Sequence, residues 1–340
     1  MKITLKEIAE KAGVSISLVS KVLNNKDVSV SAEKRETIIR VAKELKSNKV
    51  KHTELIYTTK SSGIIALIQP SLKCDFLIKL TEQIELQASQ FGYSVLVLNT
   101  HEDITKERDF LHLCDKSFIK GIIANVSDNN ANIDLLKHLA SKGIPLVFID
   151  RYIPEQELSF VSTDNFNGSY ILTKELISRG NKNILFIFHG KSLFTTAQLD
   201  RFAGYQKKMI EHGLESQKEY IHSDRPINTQ PIYGDVSFLQ DIDAILLATS
   251  WDFLFLLSIL EEINFSPSKK LDIGMFDHFS LPYPGKSELQ LINRYFSNIL
   301  IMEQDYTAIA THAVDALMNQ VIHKSKKIEQ KFLRATLYVF

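Results

Sequence analysis

Two hydrophobic rhythms divide this chain of 340 residues. Up to about residue 45 the apolar positions return every three or four residues, the period of helices with one buried face. Ile3, Leu5, Ile8, Ala9 and Ala12 share one such face. Thr4, with Glu7 three residues on, makes a capping box. Gly13 supplies the positive φ that ends this helix in a sharp turn. Val14, Leu18, Val19 and either Val22 or Leu23 give a second helix its buried stripe, with Ser15 as its cap. A third helix is predicted over 32–45, opened by Ser31. Its Ile38, Ile39, Val41, Ala42 and Leu45 close a three-helix core.

From Gly63 onward the rhythm changes. Short apolar runs at 64–69, 94–98, 121–124 and 146–149 read as strands, as do 184–188, 244–248, 271–275 and a last run at 335–340. Amphipathic stretches at 76–90, 105–115 and 167–179 read as helices among them. Alternation of this kind predicts parallel sheets covered on both faces, and two such series predict two lobes. The cleft between the lobes, at the carboxyl ends of the strands, is where open α/β sheets bind ligands.

Composition removes several function classes. No run of about 18 apolar residues exists, so no membrane span is expected. The start of the chain is charged and has no apolar signal core, which predicts a cytoplasmic protein. Cys74 and Cys114 are then expected as free thiols. The net charge of zero hides an asymmetry: residues 1–60 hold 13 Lys+Arg against 7 Asp+Glu, the rest 27 against 33. A basic head on an acidic body suits a polyanion partner for the head, though charge alone fits an ordinary solvated surface equally well. There is no Gly-rich dinucleotide fingerprint, no phosphate-binding loop and no Gly-x-Ser-x-Gly elbow. Neither a cofactor nor an enzymatic activity is expected. His101, His112, Cys114 and Asp115 invite a metal reading, but His112 and Cys114 lie two apart on a helix and face different ways. No metal site is expected.

The outer face of the second helix carries Ile16, Ser17, Ser20, Lys21 and Asn24. Small hydroxyl side chains let a helix lie close to base edges. Lys21 can reach a guanine or a phosphate, and Asn24 an adenine or the backbone. This is the pattern of a helix-turn-helix reader of the DNA major groove. The run KEIAEKAGVSISLVSKVLNN…VSAEKRETI resembles the N-terminal domain of the lactose/galactose-repressor family over about 40 residues. By that resemblance Ile16, Ser17 and Lys21 take base-reading positions, and Thr4, Ser15, Ser31 and Lys34 backbone-contact positions. Lys21 stands where many members have arginine, whose rigid fork it lacks.

The linker departs from the family. Members usually follow with a Tyr-x-Pro-Asn turn and a short hinge helix whose leucine wedges into the minor groove. This chain reads SNKVKHTELIYTTKSS, with Ser47, Lys49 and Glu54 in place of the tyrosine, proline and arginine. Ile56 stands nearest the wedge position. The alternative is a flexible Thr/Ser/Lys linker.

The body resembles the family's periplasmic-binding-protein-like core through IIALIQPSLKCDFLIKLTEQIE, GIPLVFIDRY, VSTDNFNGSYILTKELISRGNKNILFI, DRFAGYQKKM, DIGMFDHF and EQDYTAIATHAVDALM, correctly spaced. Asp305 replaces a common proline, and the stretch 280–299 is longer than usual. Positions matching family ligand contacts are Ser71, Phe76, Asp150 with Arg151, Arg201, Trp251 and Asp277. Their chemistry suits a polyol: carboxylates accept from vicinal hydroxyls, arginine donates a fork, and Phe76 or Trp251 stacks on a sugar ring. Each has a plainer reading, as a strand-end cap (Asp150, Asp277), a structural ion pair (Arg201), core (Phe76) or pocket filler (Trp251).

The expected architecture is α/β. A three-helix DNA-binding domain (1–46) and a linker (47–61) precede a two-lobed core (62–340). The first lobe spans about 62–161 and 303–325, the second about 162–300 and 326–340. The resemblance implies a homodimeric repressor of carbohydrate genes, binding a near-palindromic duplex operator and answering to a small sugar-like effector. Alternatives are a cytoplasmic sugar-binding signalling module, or a regulator controlled by a protein partner or a purine-like corepressor. The last apolar strand is not followed by a leucine heptad, so a tetramer built on such a helix is not expected.

Overall fold

The computed structural model describes residues 9, 11–23, 30, 31, 34, 35, 37, 38, 41, 63–116, 118–128, 131–189, 195–221, 239, 241–266, 269–278 and 286–340. The chain divides into two compact units, Met1–Ser62 and Gly63–Phe340.

In the small unit, Gly13 has φ +66° and Val14 N donates to Ala9 O at 3.1 Å. This six-to-one closure is the signature of a Schellman stop. Helix α1 (Ile16–Leu23) follows. Ser15 caps it, its Oγ accepting from Leu18 N at 3.3 Å. Ala9, Val19, Val22, Ile38 and Val41 are buried together, with Ala12, Val14, Leu18 and Val30 packed around them. Helical backbone at Lys34, Arg35, Thr37, Ile38 and Val41 fits the expected third helix. The expected core residues Ile3, Leu5, Ile8, Ile39, Ala42 and Leu45 lie outside the described residues, as does the Thr4–Glu7 capping box.

The large unit contains two six-stranded sheets. The first is built from β1 (Gly63–Gln69), β2 (Tyr93–Asn99), β3 (Ile119–Ala124), β4 (Leu146–Ile149), β5 (Ser159–Thr163) and β11 (Gln330–Leu333). Its order is β2-β1-β3-β4-β5-β11, all parallel. Helices α2 (Asp75–Gln90) and α9 (Tyr306–Ile322) cover one face through Leu80, Ile84, Val314 and Leu317. Helices α3 (Ile104–Lys116) and α4 (Ile133–Ser141) cover the other through Leu111, Leu135 and Leu139.

The second sheet repeats the plan with β6 (Ile184–His189), β7 (Gln217–Ile221), β8 (Ala244–Leu247), β9 (Leu271–Phe276), β10 (Phe296–Glu303) and β12 (Thr336–Val339). Its order is β7-β6-β8-β9-β10-β12, with only β12 antiparallel. Helices α5 (Asn165–Ser178) and α6 (Thr196–Glu211) lie on one face; α7 (Phe253–Glu262) and α8 (Lys286–Tyr295) lie on the other. The α5–α6 contact is close. A Cβ on Gly204 would lie 2.1 Å from Phe166 O, so only glycine fits there.

Every predicted strand is present, within a residue or two of its expected bounds. β5, β7, β10 and β11 were not expected. QKEYI in β7 and QKFL in β11 are short and polar-interrupted, carry no run to read, and form sheet edges, whereas β10 does hold a readable apolar run, ILIM, behind its polar start FSN. The expectation that 326–340 belongs wholly to the second lobe fails at β11. That strand pairs in parallel with β5 and packs Phe332 against Tyr152 and Phe160. Only β12 reaches the second sheet. Among the described residues the chain therefore passes between lobes at Asp164, at Gln304–Asp305 and at Arg334–Ala335. Two crossings double as helix caps: Asp164 Oδ1 accepts from Asn167 N (3.0 Å) and Asp305 Oδ1 from Ala308 N (2.8 Å).

Candidate functional site

In the small unit, α1 buries one face and shows the other. Ile16 is 48% exposed despite being apolar. Lys21 and Ser15 are exposed and Ser20 is half-buried on the same short helix. The Ser17 backbone is helical. Ser31 and Lys34 are exposed, with Ser31 Oγ accepting from Lys34 N at 3.3 Å as a helix cap. Thr4, Asn24 and Ile56 lie outside the described residues.

The large unit places the carboxyl ends of both sheets around one cavity. Both sheets have the same internal order. The first lobe brings Phe76 and Cys74 after β1, Glu102 after β2, and Asp150 and Arg151 after β4. The second brings Thr195, Gln198 and Arg201 from the start of α6, Thr249–Trp251 after β8, and Asp277 after β9; Gln304 sits at the crossing after β10. The space is about 60 Å³, room for a few waters.

Asp150 and Asp277 each follow a buried strand with positive φ, 61° and 64°. That conformation is uncommon for a residue with a Cβ, and it persists only where the surroundings fix it. Asp150 N donates to Val161 O and Asp277 N to Met302 O, both at 3.0 Å, which pins each turn to the neighbouring strand. Asp150 Oδ2 accepts from Asn125 Nδ2 (3.2 Å), which also donates to Gln69 Oε1 (3.2 Å). Asp277 Oδ1 and Oδ2 accept from Gln304 N (3.0 Å) and Gln304 Nε2 (2.6 Å). Burial pushes the Asp277 carboxyl up to about 6, against the pull of nearby Arg201.

Arg201 is 5% exposed. Its Nε donates to Asn165 Oδ1 (2.7 Å) and Nη1 to Ala248 O (2.6 Å), and its guanidinium lies 3.8 Å from the Phe276 ring centre. Burial lowers its pKa, opposed by Asp277 and Asp150. Arg151 is gripped bidentately by Glu102 (3.2 and 3.4 Å) and donates to Val126 O (3.0 Å). Trp251 stands at the rim, with Lys73 Nζ 5.6 Å from its ring centre.

Beside the cavity, Tyr152 ties the lobes together. Its N donates to Thr196 Oγ1 and its hydroxyl to Asp200 Oδ2, both at 3.0 Å. The Cys74 thiol is pushed up by burial to about 12, far from the thiolate a nucleophile needs. No group of three or more potential metal ligands exists among the described residues, and none of their helices is long and apolar enough to cross a membrane.

Phe76, Asp150, Arg201, Trp251 and Asp277 are thus brought together. Ser71 is not. It is buried outside the lining, and its Oγ accepts from Lys73 N at 3.1 Å to shape the turn after β1. Sequence reasoning missed Gln304, which adjoins the Asp305 singled out in EQDYT. It also missed Glu102, Thr195, Gln198 and Thr249, which have no pattern of their own and are recruited by strand-end geometry.

Residues 4–46 match the family described as bacterial regulatory proteins, lacI family, and residues 62–230 match that of periplasmic binding proteins and sugar binding domain of LacI family. The HTH-type transcriptional regulator DegA of Bacillus subtilis is 30% identical over 65% of this chain and 65% of its own. The ribose operon repressor of Halalkalibacterium halodurans is 33% identical over 61% of this chain and 60% of its own. Each match spans less than two thirds of the relative's length. A periplasmic binding protein/LacI transcriptional regulator from Alkaliphilus metalliredigens, solved with D-xylulofuranose, superposes with TM-score 0.66 at 20% identity, covering 82% of this chain and 97% of its own. With a helix-turn-helix head and a doubled parallel α/β core both matched, the chain belongs to the lacI family of bacterial regulatory proteins.

Proposed function

We propose that this protein is a ligand-responsive repressor of carbohydrate-metabolism genes, acting in the cytoplasm without enzymatic activity or cofactor. α1 enters the major groove with Ile16, Ser17, Ser20 and Lys21 toward the bases, while Ser15, Ser31 and Lys34 meet the backbone. Thr4, Asn24 and Ile56 complete this surface by the family resemblance. A sugar or sugar derivative occupies the inter-lobe cavity and is held by Asp150, Arg201, Asp277 and an aromatic wall of Phe76 and Trp251.

The observation that carries this reading is the convergence of two strained aspartates and a buried arginine on one cavity, in a chain that also bears a capped, exposed reader helix. The cavity is smaller than a sugar, so binding requires the lobes to part, and the Tyr152 contacts to Thr196 and Asp200 are what parting must break. Ligand thereby shifts the balance between lobe arrangements. The protein works as a homodimer on a near-palindromic operator. Exposed Ile78 and Leu86 on α2, with Leu96 and Val97 on edge strand β2, support the first lobe as the dimer face.

The test is selection of duplexes from a random pool, followed by titration of the selected site with and without sugars. Two related half-sites, affinity falling steeply with salt, and a shift in affinity with one sugar are expected. Failure to enrich any duplex would sink the repressor reading. Enrichment without response to any sugar would leave a repressor governed by another effector.

A further inference from the structure

The charges and hydrogen-bonding groups around the cavity discriminate among sugar ligands. Two cations line it, and both are engaged. Arg151 gives both terminal nitrogens to Glu102 and Val126 O. Arg201 gives Nε and Nη1 to Asn165 and Ala248 O and lies on Phe276, leaving Nη2. Against them stand three carboxylates, Glu102, Asp150 and Asp277. Two of the helices that open at this end already carry groups that work against an anion or occupy their first turn. α2 carries Asp75 in its first turn, and in α6 Thr195 Oγ1 already accepts from Gln198 N. Lys73 lies outside the lining, over the Trp251 ring.

Besides the donors left at Arg201 Nη2 and the Thr195 and Thr249 hydroxyls, the cavity offers a buried acceptor. Gln304 is 2% exposed and lines the cavity. Its amide orientation is dictated by Asp277: a carboxylate only accepts, so the nitrogen faces it and Oε1 faces away. That Oε1 is buried without a hydrogen-bond partner. A buried acceptor in this state is costly, and a ligand hydroxyl is the group that relieves it.

We infer that the cleft takes an unphosphorylated, hydroxyl-rich monosaccharide, one hydroxyl of which donates to Gln304 Oε1, and that it rejects the phosphate ester of the same sugar. The inference rests on the sugar-effector reading above. The phosphate group of such an ester carries about −1.5 to −2 charges and, as the dianion, only acceptor oxygens in place of one hydroxyl donor. Here it meets three carboxylates and an orphaned acceptor, against two arginines of which only Arg201 keeps a terminal nitrogen, Nη2, to spare. A free sugar brings donors to all of these groups and leaves the charge balance alone. Gln304 becomes a specificity-determining residue that also positions Asp277.

The experiment is isothermal titration of the full chain with matched pairs: D-ribose and ribose 5-phosphate, D-xylulose and xylulose 5-phosphate, D-fructose and fructose 1-phosphate, D-glucose and glucose 6-phosphate. One free sugar is expected to bind at least a hundredfold tighter than its ester. Gln304→Met should weaken that sugar tenfold or more. Deoxy analogues of it then locate the bond: one analogue loses a similar factor on the wild type and nothing further on the variant, a signature that a purely structural role for Gln304 does not produce. An ester that binds as well as or better than its free sugar overturns the inference and leaves the sugar-effector reading standing. Equal binding of every deoxy analogue overturns the assignment of Gln304. Silence across all pairs overturns both the inference and the sugar-effector reading.

Discussion

Replacing Asp277 with asparagine tests whether the cleft stores instability for the sake of binding. A carboxyl carried by burial from its ordinary 3.8 to about 6 costs the folded protein about 3 kcal/mol when ionised. Some solvent reaches the residue, so this is an upper bound. Asparagine has the same shape without the charge. Its Oδ1 still accepts from Gln304 N. If the Gln304 amide turns over, the orphaned Oε1 accepts from the new Nδ2, so no hydrogen bond need be lost. Asp277→Asn should therefore raise the melting temperature of the ligand-free protein by several degrees at pH 7.5. The gain has a definite pH course. Folded Asp277 holds its proton more tightly than unfolded Asp277, so its penalty is absent below about pH 3.8 and complete above about pH 6. Thermal melts of both proteins from pH 4 to 8 should converge as pH falls, with about half of the gain left near pH 5. Sugar response should be lost in the variant at every pH. A melting temperature that is unchanged or lower at pH 7.5, or a difference that does not shrink toward pH 4, would refute the account of a buried, strained acceptor.

Other outcomes follow from single residues. Arg201→Ala leaves Asn165 Oδ1, Ala248 O and two carboxylates without their cation, so roughly 3–5 kcal/mol of stability should go, along with ligand response; an unaltered denaturation midpoint would show that Arg201 is not the buried clamp. Gly204→Ala forces a Cβ onto Phe166 O and should cost at least about 2 kcal/mol or prevent folding, as read from soluble yield and urea melts. Lys21→Ala should cost roughly 1–3 kcal/mol on a selected operator and less on random duplex, by fluorescence anisotropy; equal losses would make it a phosphate contact. Sugar affinity of the wild type should fall as pH drops through about 6, where Asp277 takes up a proton and loses its charge and part of its accepting capacity; a flat titration from pH 5 to 8 would separate Asp277 from the ligand.

The features legible in the amino-acid order are those whose physics is local. Residues three and four apart share a helix face, which made the buried set Ala9, Val19, Val22, Ile38 and Val41 readable in advance. Glycine at a left-handed position marked the turn at Gly13, and continuous apolar runs marked the strands buried on both faces. Five of the six expected effector residues line one cavity, because they sit on the segments that follow strand ends, where parallel sheets gather side chains. Tertiary structure decided what depends on meeting partners far away in the chain. β11 carries too little apolar sequence to declare itself and is a strand because β5 offers it a free edge, so the chain crosses between lobes at Arg334–Ala335, later than the lobe boundaries had placed it. Gln304 lies inside the block EQDYT but its chemistry alone marks no role, and it becomes significant through Asp277 at the end of the adjacent strand. Ser71 has suitable chemistry and position, but the turn after β1 folds it away to hold Lys73 N. The 60 Å³ of the cavity is likewise a property of two lobes in contact, which no local pattern encodes.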